Sequence, residues 1–289
     1  AHSPGIAAAI FAVLIGGLGV KAALFPLHGW LPAAMVAPAP VSALLHAVAV
    51  VKAGVFGIIR VIDDVYGVDV AAELGVLPPL LVLASFTILY GSYQALRQKD
   101  LKKRLAYSTV SQVSYVTLGI ALATMSGATG GIVHLVHQGI MKITLFFCAG
   151  LFAESLGAKR VDQLNGLGRR MPGTSIAFTV AAFGMIGLPP TAGFISKWQL
   201  GLGALDSSHP WVVAVLLVSS LLNALYFLPV IYSLWFREPE LDQRAAEPRA
   251  LLVPTLSTTA MVIIFGVAAS TSFLPLGIAE QIAGAVFSP

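Results

Sequence analysis

The fold class predicted by this sequence is an all-α, polytopic membrane helix bundle, and three observations predict it. Hydrophobic residues make up 57% of the 289 positions and charged ones only 10%, against about 25% charged in a soluble domain. The mean hydropathy is +0.87. Apolar runs of about 20 residues, long enough to cross a bilayer as a helix, recur about eight times. These runs are continuously apolar and lack period-two alternation, which favours helices over a barrel.

Taken in order, the spans fall at 5–25, 40–62, 75–96, 104–125, 129–156, 174–204, 210–236 and 250–271. The first runs out in LFPLHGWLPAAMVAPAP, and the sixth carries GLPPTAGF in its middle. Proline removes a backbone donor and clashes with the preceding turn, so Pro189 and Pro190 are expected to split the sixth span. Each interruption lies close to a lysine, Lys21 before Pro26 and Lys197 after Pro190. The two spans are five apart in order and therefore cross in opposite directions, the trace of an inverted repeat. The last stretch, SFLPLGIAEQIAGAVFSP, is short and broken; it is expected to lie at the interface or to begin a further helix. Trp30, Trp211 and Trp235 near span ends read as interface anchors. The first residue is Ala and no signal peptide precedes it, so the chain is expected to begin partway through a longer protein.

Loop charge sets the orientation. Arg97, Lys99, Lys102, Lys103 and Arg104 follow the third span. Lys159, Arg160, Arg169 and Arg170 follow the fifth, and Arg237, Arg244 and Arg249 the seventh. The opposite loops, such as DDVYGVDVAAE and DSSHP, carry acids and no Lys or Arg. The positive-inside rule then makes the basic loops cytoplasmic in the cell inner (plasma) membrane, with both chain ends outward. The net charge of +4 therefore reflects topology and not nucleic-acid binding. A lone Cys148 excludes an internal disulfide or a CxxC metal site and reads as helix packing. GATGG and GGLG lack the flanking strand of a nucleotide site, so no cofactor or metal is expected.

The residues that point to chemistry are lysines inside apolar spans: Lys21, Lys52, Lys142 and Lys197. A lysine at mid-bilayer costs about 2.5–3.5 kcal/mol on insertion scales and usually marks function. In the fifth span His134, Gln138 and Lys142 follow i, i+4, i+8 along one stripe, with His137 beside it. Histidine titrates near neutrality and burial disfavours charged lysine, so such a row suits proton passage. The competing reading is a satisfied interhelical hydrogen-bond set. His46 and Lys52 share the second span, where Arg60 at the outer end is expected to snorkel or pair with Asp63 or Asp64. Glu154 near the cytoplasmic end of the fifth span is a weaker candidate for proton uptake.

Three segments, PLHGWLPAAMVAPAPVSALLHAVAVVKAGVFGIIRV, HLVHQGIMKITLFFCAG and GLPPTAGFISKWQL, closely resemble the antiporter-like membrane subunits. That family comprises the proton-pumping subunits of respiratory complex I, the large subunits of Mrp-type sodium/proton antiporters, and relatives in membrane-bound hydrogenases. The resemblance covers roughly residues 15–205. It implies two inverted repeats, each with one broken helix. On that scheme residues 1–65 end the first repeat, 66–237 form the second, and 238–289 hold a C-terminal helix and tail. Lys21 resembles the paired lysine of the first half-channel, whose glutamate partner would lie in absent N-terminal helices. Lys52 and His46 resemble connecting residues, Lys142 the central lysine of the second half, and Lys197 its terminal residue. Gln138 stands where the family commonly has histidine, and His137 sits one position earlier, so the route near Lys142 is expected through His137 or water.

The expected function is proton translocation, with sodium an open second ion, alongside other membrane subunits in the lipid bilayer. Lys52 and ITLFFCAG tilt the reading toward the Mrp-like group over a pump subunit of NADH:quinone oxidoreductase or hydrogenase. Redox chemistry, where coupled, belongs to partner subunits, and whether the assembly counts as an enzyme stays open. A stand-alone solute transporter and a non-transporting structural subunit are the rivals of other classes.

Overall fold

The structure, a computed structural model, describes residues 3–239 and 245–287, so Arg244 lies outside the described residues. The helices are α1 (Pro4–Ala22), α2 (Trp30–Ala33), α3 (Ala39–Ala47), α4 (Val50–Arg60), α5 (Val68–Glu73), α6 (Leu77–Arg97), α7 (Leu101–Ala121) and α8 (Met125–Leu156). They continue as α9 (Leu167–Arg170), α10 (Pro172–Ile186), α11 (Ala192–Asp206), α12 (Val212–Phe236), α13 (Arg249–Val267) and α14 (Pro275–Phe287). No strand occurs among the described residues. Among the described residues, six helical segments are long and apolar enough to cross a membrane. Adding α7 and the α10–α11 pair makes eight crossings, as the sequence predicts.

Local chemistry explains where these helices start and stop. Ser3 caps α1, accepting from the Ile6 amide at 3.4 Å, with Pro4 in the first turn. Asp100 caps α7 through the Lys103 amide at 2.8 Å, and Thr124 caps α8 through Gly127 at 3.2 Å. The Trp30 indole donates at 2.7 Å to the Val20 carbonyl in the last turn of α1, which also accepts from the Ala23 amide at 3.2 Å. Cys148 is buried and donates to the Thr174 carbonyl at 3.4 Å, a packing role.

The sixth span is split as expected, and the residue that ends α10 is Gly187, two positions before the prolines. Gly187 sits at φ +94°, where a side chain is strained. The second span departs from expectation. In place of one helix over 40–62, it is cut between Ala47 and Val50, with no proline or glycine at the cut. There the Ala49 amide donates to Leu44, five residues back. This wide turn shifts the helical phase by one residue. Beyond α4 the chain continues as a π-helical turn, Val61–Tyr66. Arg60 pairs with Asp64 at 2.6 Å, one of its two expected partners.

At the centre lies α8, 32 residues long and thus about 48 Å. It packs against α3, α7, α10, α11, α13 and α14. The short C-terminal stretch is α14, laid against α8. Buried apolar residues gather in two clusters. One centres on Ile58, Leu81, Ile88 and Val116, the other on Phe146, Phe152, Phe178 and Phe227. The polar residues of α7 and α8 lie along the seam between them.

Gly187→Ala is expected to strain the left-handed turn by about 1–2 kcal/mol and to lower the thermal midpoint in detergent by several degrees. Gly201→Ala, whose added methyl meets open space, is expected to leave the midpoint unchanged or raise it.

Candidate functional site: a buried lysine row

Lys52, Lys142 and Lys197 converge on α8 and its neighbours, and no carboxylate bonds to any of them among the described residues. Each ammonium is held by neutral oxygens alone. Lys52, on α4, reaches across to α8, where Nζ donates to the Leu135 carbonyl at 2.6 Å and to Gln138 Oε1. Gly139 lets the end of α3 come close to α8 beside that contact. A methyl there would lie 2.9 Å from the Ala47 carbonyl oxygen and 3.9 Å from Lys52 Cε. The cut between α3 and α4 thus abuts a point on α8 that carries no side chain.

Lys142, one turn beyond Gln138, is fully buried. Its Nζ donates to the Leu105 carbonyl at 3.1 Å and to Ser108 Oγ at 2.7 Å. Ser108 Oγ is 2.8 Å from the Tyr226 hydroxyl, which donates to Asn223 Oδ1. A directional wire therefore leaves Lys142 through α7 and ends on α12. Lys197 lies just past the break. Its Nζ donates to the Met185 and Ile186 carbonyls, both at 2.9 Å, and to Ser220 Oγ at 3.0 Å. Those two carbonyls belong to the last turn of α10, where no helical amide follows. Lys197 is half-buried and borders a groove of about 460 Å³ lined by Leu188, Trp198 and Leu217.

The histidines occupy distinct places. His134 Nδ1 is 2.8 Å from Ser196 Oγ, and its ring stands 5.2 Å from that of Tyr115. The Lys197 ammonium lies 5.5 Å from the same tyrosine ring, so Tyr115 bridges His134 and Lys197. His46 is buried, its ring 4.8 Å from Phe146, within electrostatic range of Lys142 and Lys102. His137 faces α13, its ring 6.0 Å from Phe265, rather than the Lys52–Gln138 contact. Lys21 lies in the last turn of α1 and is exposed, its backbone packed on Gly54 of α4, two positions from Lys52. Glu154 lines a cavity of about 520 Å³ with Asp100, Lys102 and Lys159, and Lys102 donates to the Ala37 carbonyl.

Sequence reasoning passed over α7 as an ordinary span. Its Ser108, Ser111, Gln112 and Tyr115 are all buried and follow an i, i+3, i+4, i+7 spacing. That is the pattern of one helix face, here polar where an ordinary core face is apolar. Ser111 joins Ser92 at 2.8 Å, and Ser92 joins Ser219 at 3.3 Å. The signal was the density of Ser, Thr, Gln and Tyr in LAYSTVSQVSYVTLG.

At the basic rim, outside the spans, Arg160 donates to both carboxylate oxygens of Asp162, at 3.1 and 2.9 Å. These bonds hold Asp162 below the usual carboxylate range and raise Arg160.

Ser108→Ala is expected to cut the link from Lys142 to Tyr226. Unfolding stability should fall by about 0.5–1.5 kcal/mol, read as a lower midpoint in detergent, and an unchanged midpoint would mean that the link adds nothing to the fold.

Comparison with known proteins places the chain. Residues 2–223 match the transmembrane family described as NADH:quinone oxidoreductase/Mrp antiporter. The chain is 42% identical over 271 residues to NADH-quinone oxidoreductase subunit N of Desulforudis audaxviator, covering 88% of this chain and 53% of that one. It is 30% identical over 280 residues to a Na(+)/H(+) antiporter subunit of Alkalihalophilus pseudofirmus, covering 96% and 56%. Its fold superposes on a chain of the Mrp complex from Dietzia sp. with a TM-score of 0.89 at 26% identity, over 98% of this chain and 60% of that one. The chain spans about half the length of these curated relatives. A polytopic helical membrane protein with this match over most of its length belongs to the NADH:quinone oxidoreductase/Mrp antiporter family.

Proposed function

We propose that the chain is a proton-translocating membrane subunit in which protons pass along Lys52, Lys142 and Lys197. His46, His134 and His137 assist, and Lys21 joins from the first half-channel. The observation that carries this reading is the set of buried ammonium groups bonded only to carbonyl, amide and hydroxyl oxygens. An ion buried without a counter-ion costs several kcal/mol, and neutral oxygens offset that cost without fixing the charge state. Two lysines about 8 Å apart at an effective dielectric near 20 repel by about 2 kcal/mol. Protonation of one therefore favours release from the next.

Gln138 holds Lys52 but neither gains nor loses a proton at neutral pH. Transfer past it runs over water. Both ring nitrogens of His46, the Gln112 amide and Gln138 Nε2 have no protein partner, and buried groups of this kind are met by water. Lys102, on the wall of the Glu154 cavity, lies within electrostatic range of His46, and that cavity serves as the uptake side. The ion moved is a proton, with sodium the candidate ion moved against it.

The basic loops face the cytoplasm of a cell whose inner (plasma) membrane holds the protein, and both ends of this chain face outward. The boundaries 1–65, 66–237 and 238–289 separate the close of one repeat, a second repeat, and a C-terminal helix with its tail. The partners are further membrane subunits. An Mrp-like antiporter is the favoured assembly, supported by the fold match to the Mrp complex. A redox-driven pump arm is the second reading, favoured by the 42% identity to the NADH-quinone oxidoreductase relative. Mass spectrometry of subunits that co-purify in mild detergent separates them: small antiporter subunits support the first, flavin and iron–sulfur proteins the second.

Lys142→Met and Lys52→Met test the shared mechanism. Each replaces a buried ammonium by an apolar chain of similar length, so the thermal midpoint should hold or rise. Proton flux, followed with a pH-sensitive dye in proteoliposomes, should fall at least tenfold. Unchanged flux in both variants would leave the lysine row a structural hydrogen-bond set.

A further inference from the structure

A second site lies on the outer face of the bundle, away from the lysine row. Between α12, the loop from α6 into α7 and the loop after α8 runs a groove of about 750 Å³. Its wall is the outward side of α12, where Leu221, Leu225, Leu228 and Tyr232 are exposed. Lys99, Arg104 and Arg237 line its basic end. Apolar length and clustered positive charge thus meet at one level of the membrane, the level of the basic loops.

The charges at that end are available. Arg104 is 8% exposed, and its guanidinium is spent on backbone carbonyls. It donates to Gln98 at 3.0 and 2.7 Å and to Tyr226 at 2.8 Å, with no carboxylate to cancel it. Lys99 and Arg237 are exposed and form no ion pair among the described residues. Asp162, the one acid in the groove, is engaged by Arg160, so the two together add no net charge. The backbone that carries Lys99 is also fixed. The Val161 amide donates to the Lys99 carbonyl at 3.0 Å and the Leu101 amide to the Lys159 carbonyl at 2.9 Å, pinning the two basic loops to each other.

We propose that this groove binds an anionic phospholipid, with an acyl chain along α12 and the phosphate between Lys99 and Arg237. A zwitterionic lipid satisfies the apolar wall equally well but leaves the cations uncompensated. Charge complementarity therefore selects the anionic headgroup. Cations near a membrane surface attract such lipids additively, and removing two is worth on the order of a thirtyfold loss. The proposal is independent of proton transport and requires only that α12 face lipid.

The test uses the full chain in its native complex, purified in mild detergent and analysed by native mass spectrometry. Dioleoylphosphatidylglycerol and dioleoylphosphatidylcholine are added as separate probes. Wild type is expected to retain the phosphatidylglycerol at least tenfold better. The Lys99→Gln/Arg237→Gln double variant should lose that preference and keep its weak phosphatidylcholine binding. Ala224→Trp, which fills the groove, should reduce retention of both. Equal retention of phosphatidylglycerol by wild type and the double variant overturns the proposal. Loss of a co-purifying subunit from Ala224→Trp without any change in bound lipid overturns it too, and assigns the groove to a protein helix.

Discussion

Burial of positive charge without a counter-ion is the constraint on which the rest of this structure depends. Three lysines project into a bundle built mainly of Leu, Val, Ala and Phe, and none meets a carboxylate among the described residues. An acid partner would be the cheaper way to hold each of them. It would also fix the charge, since an uncompensated carboxylate is as costly as an uncompensated ammonium. Neutral oxygens hold the lysine and leave its field to be felt by the next one. At Lys197 part of that cost is met by a helix end that sets carbonyls free, whereas the carbonyls that hold Lys52 and Lys142 lie inside the continuous α8 and α7.

Each departure from regular helix serves a particular lysine. The end of α10 at Gly187 exposes the Met185 and Ile186 carbonyls to Lys197. The wide turn between α3 and α4 re-phases the second span, Gly139 on α8 admits the Ala47 carbonyl at the end of α3, and Lys52 reaches the Leu135 carbonyl. Lys142 has no helix break beside it and relies on α7 instead, through the Leu105 carbonyl and Ser108. The two apolar clusters on either side keep the seam narrow, so the polar groups within it are arranged by rigid neighbours and not by mobile loops.

The polar face of α7 gives the row its lateral connections. Through Ser108 it reaches Tyr226 and Asn223, through Ser111 it reaches Ser92 and Ser219, and through Tyr115 it joins His134 to Lys197. A helix this polar crosses the membrane only because other helices cover it: α6 and α8 pack along its length, and α4 and α2 add further cover. The basic loops at one end and the buried row at mid-depth are separate uses of positive charge. The first faces headgroups and water, while the second is shielded from both.

Much of this was legible in the sequence because composition acts locally. Apolar runs of bilayer length set the crossings, paired prolines marked the break in the sixth span, and lysines inside apolar spans pointed to Lys52, Lys142 and Lys197 along with the exposed Lys21. The i, i+4, i+8 spacing put His134, Gln138 and Lys142 on one stripe, since helical periodicity needs no partner to be read. What only the tertiary structure decided was who meets whom. Nothing in Ala47–Val48–Ala49 announces a cut, because it arises where the end of α3 presses on Gly139 of another helix. The side of α8 that His137 takes, toward Phe265, follows from the placement of α13. The polar face of α7 was visible as composition, yet its meaning depended on which helix it faces. Hydrophobicity is a property of each segment and is written in its own residues; the pairing of carbonyls with lysines is a property of two segments at once.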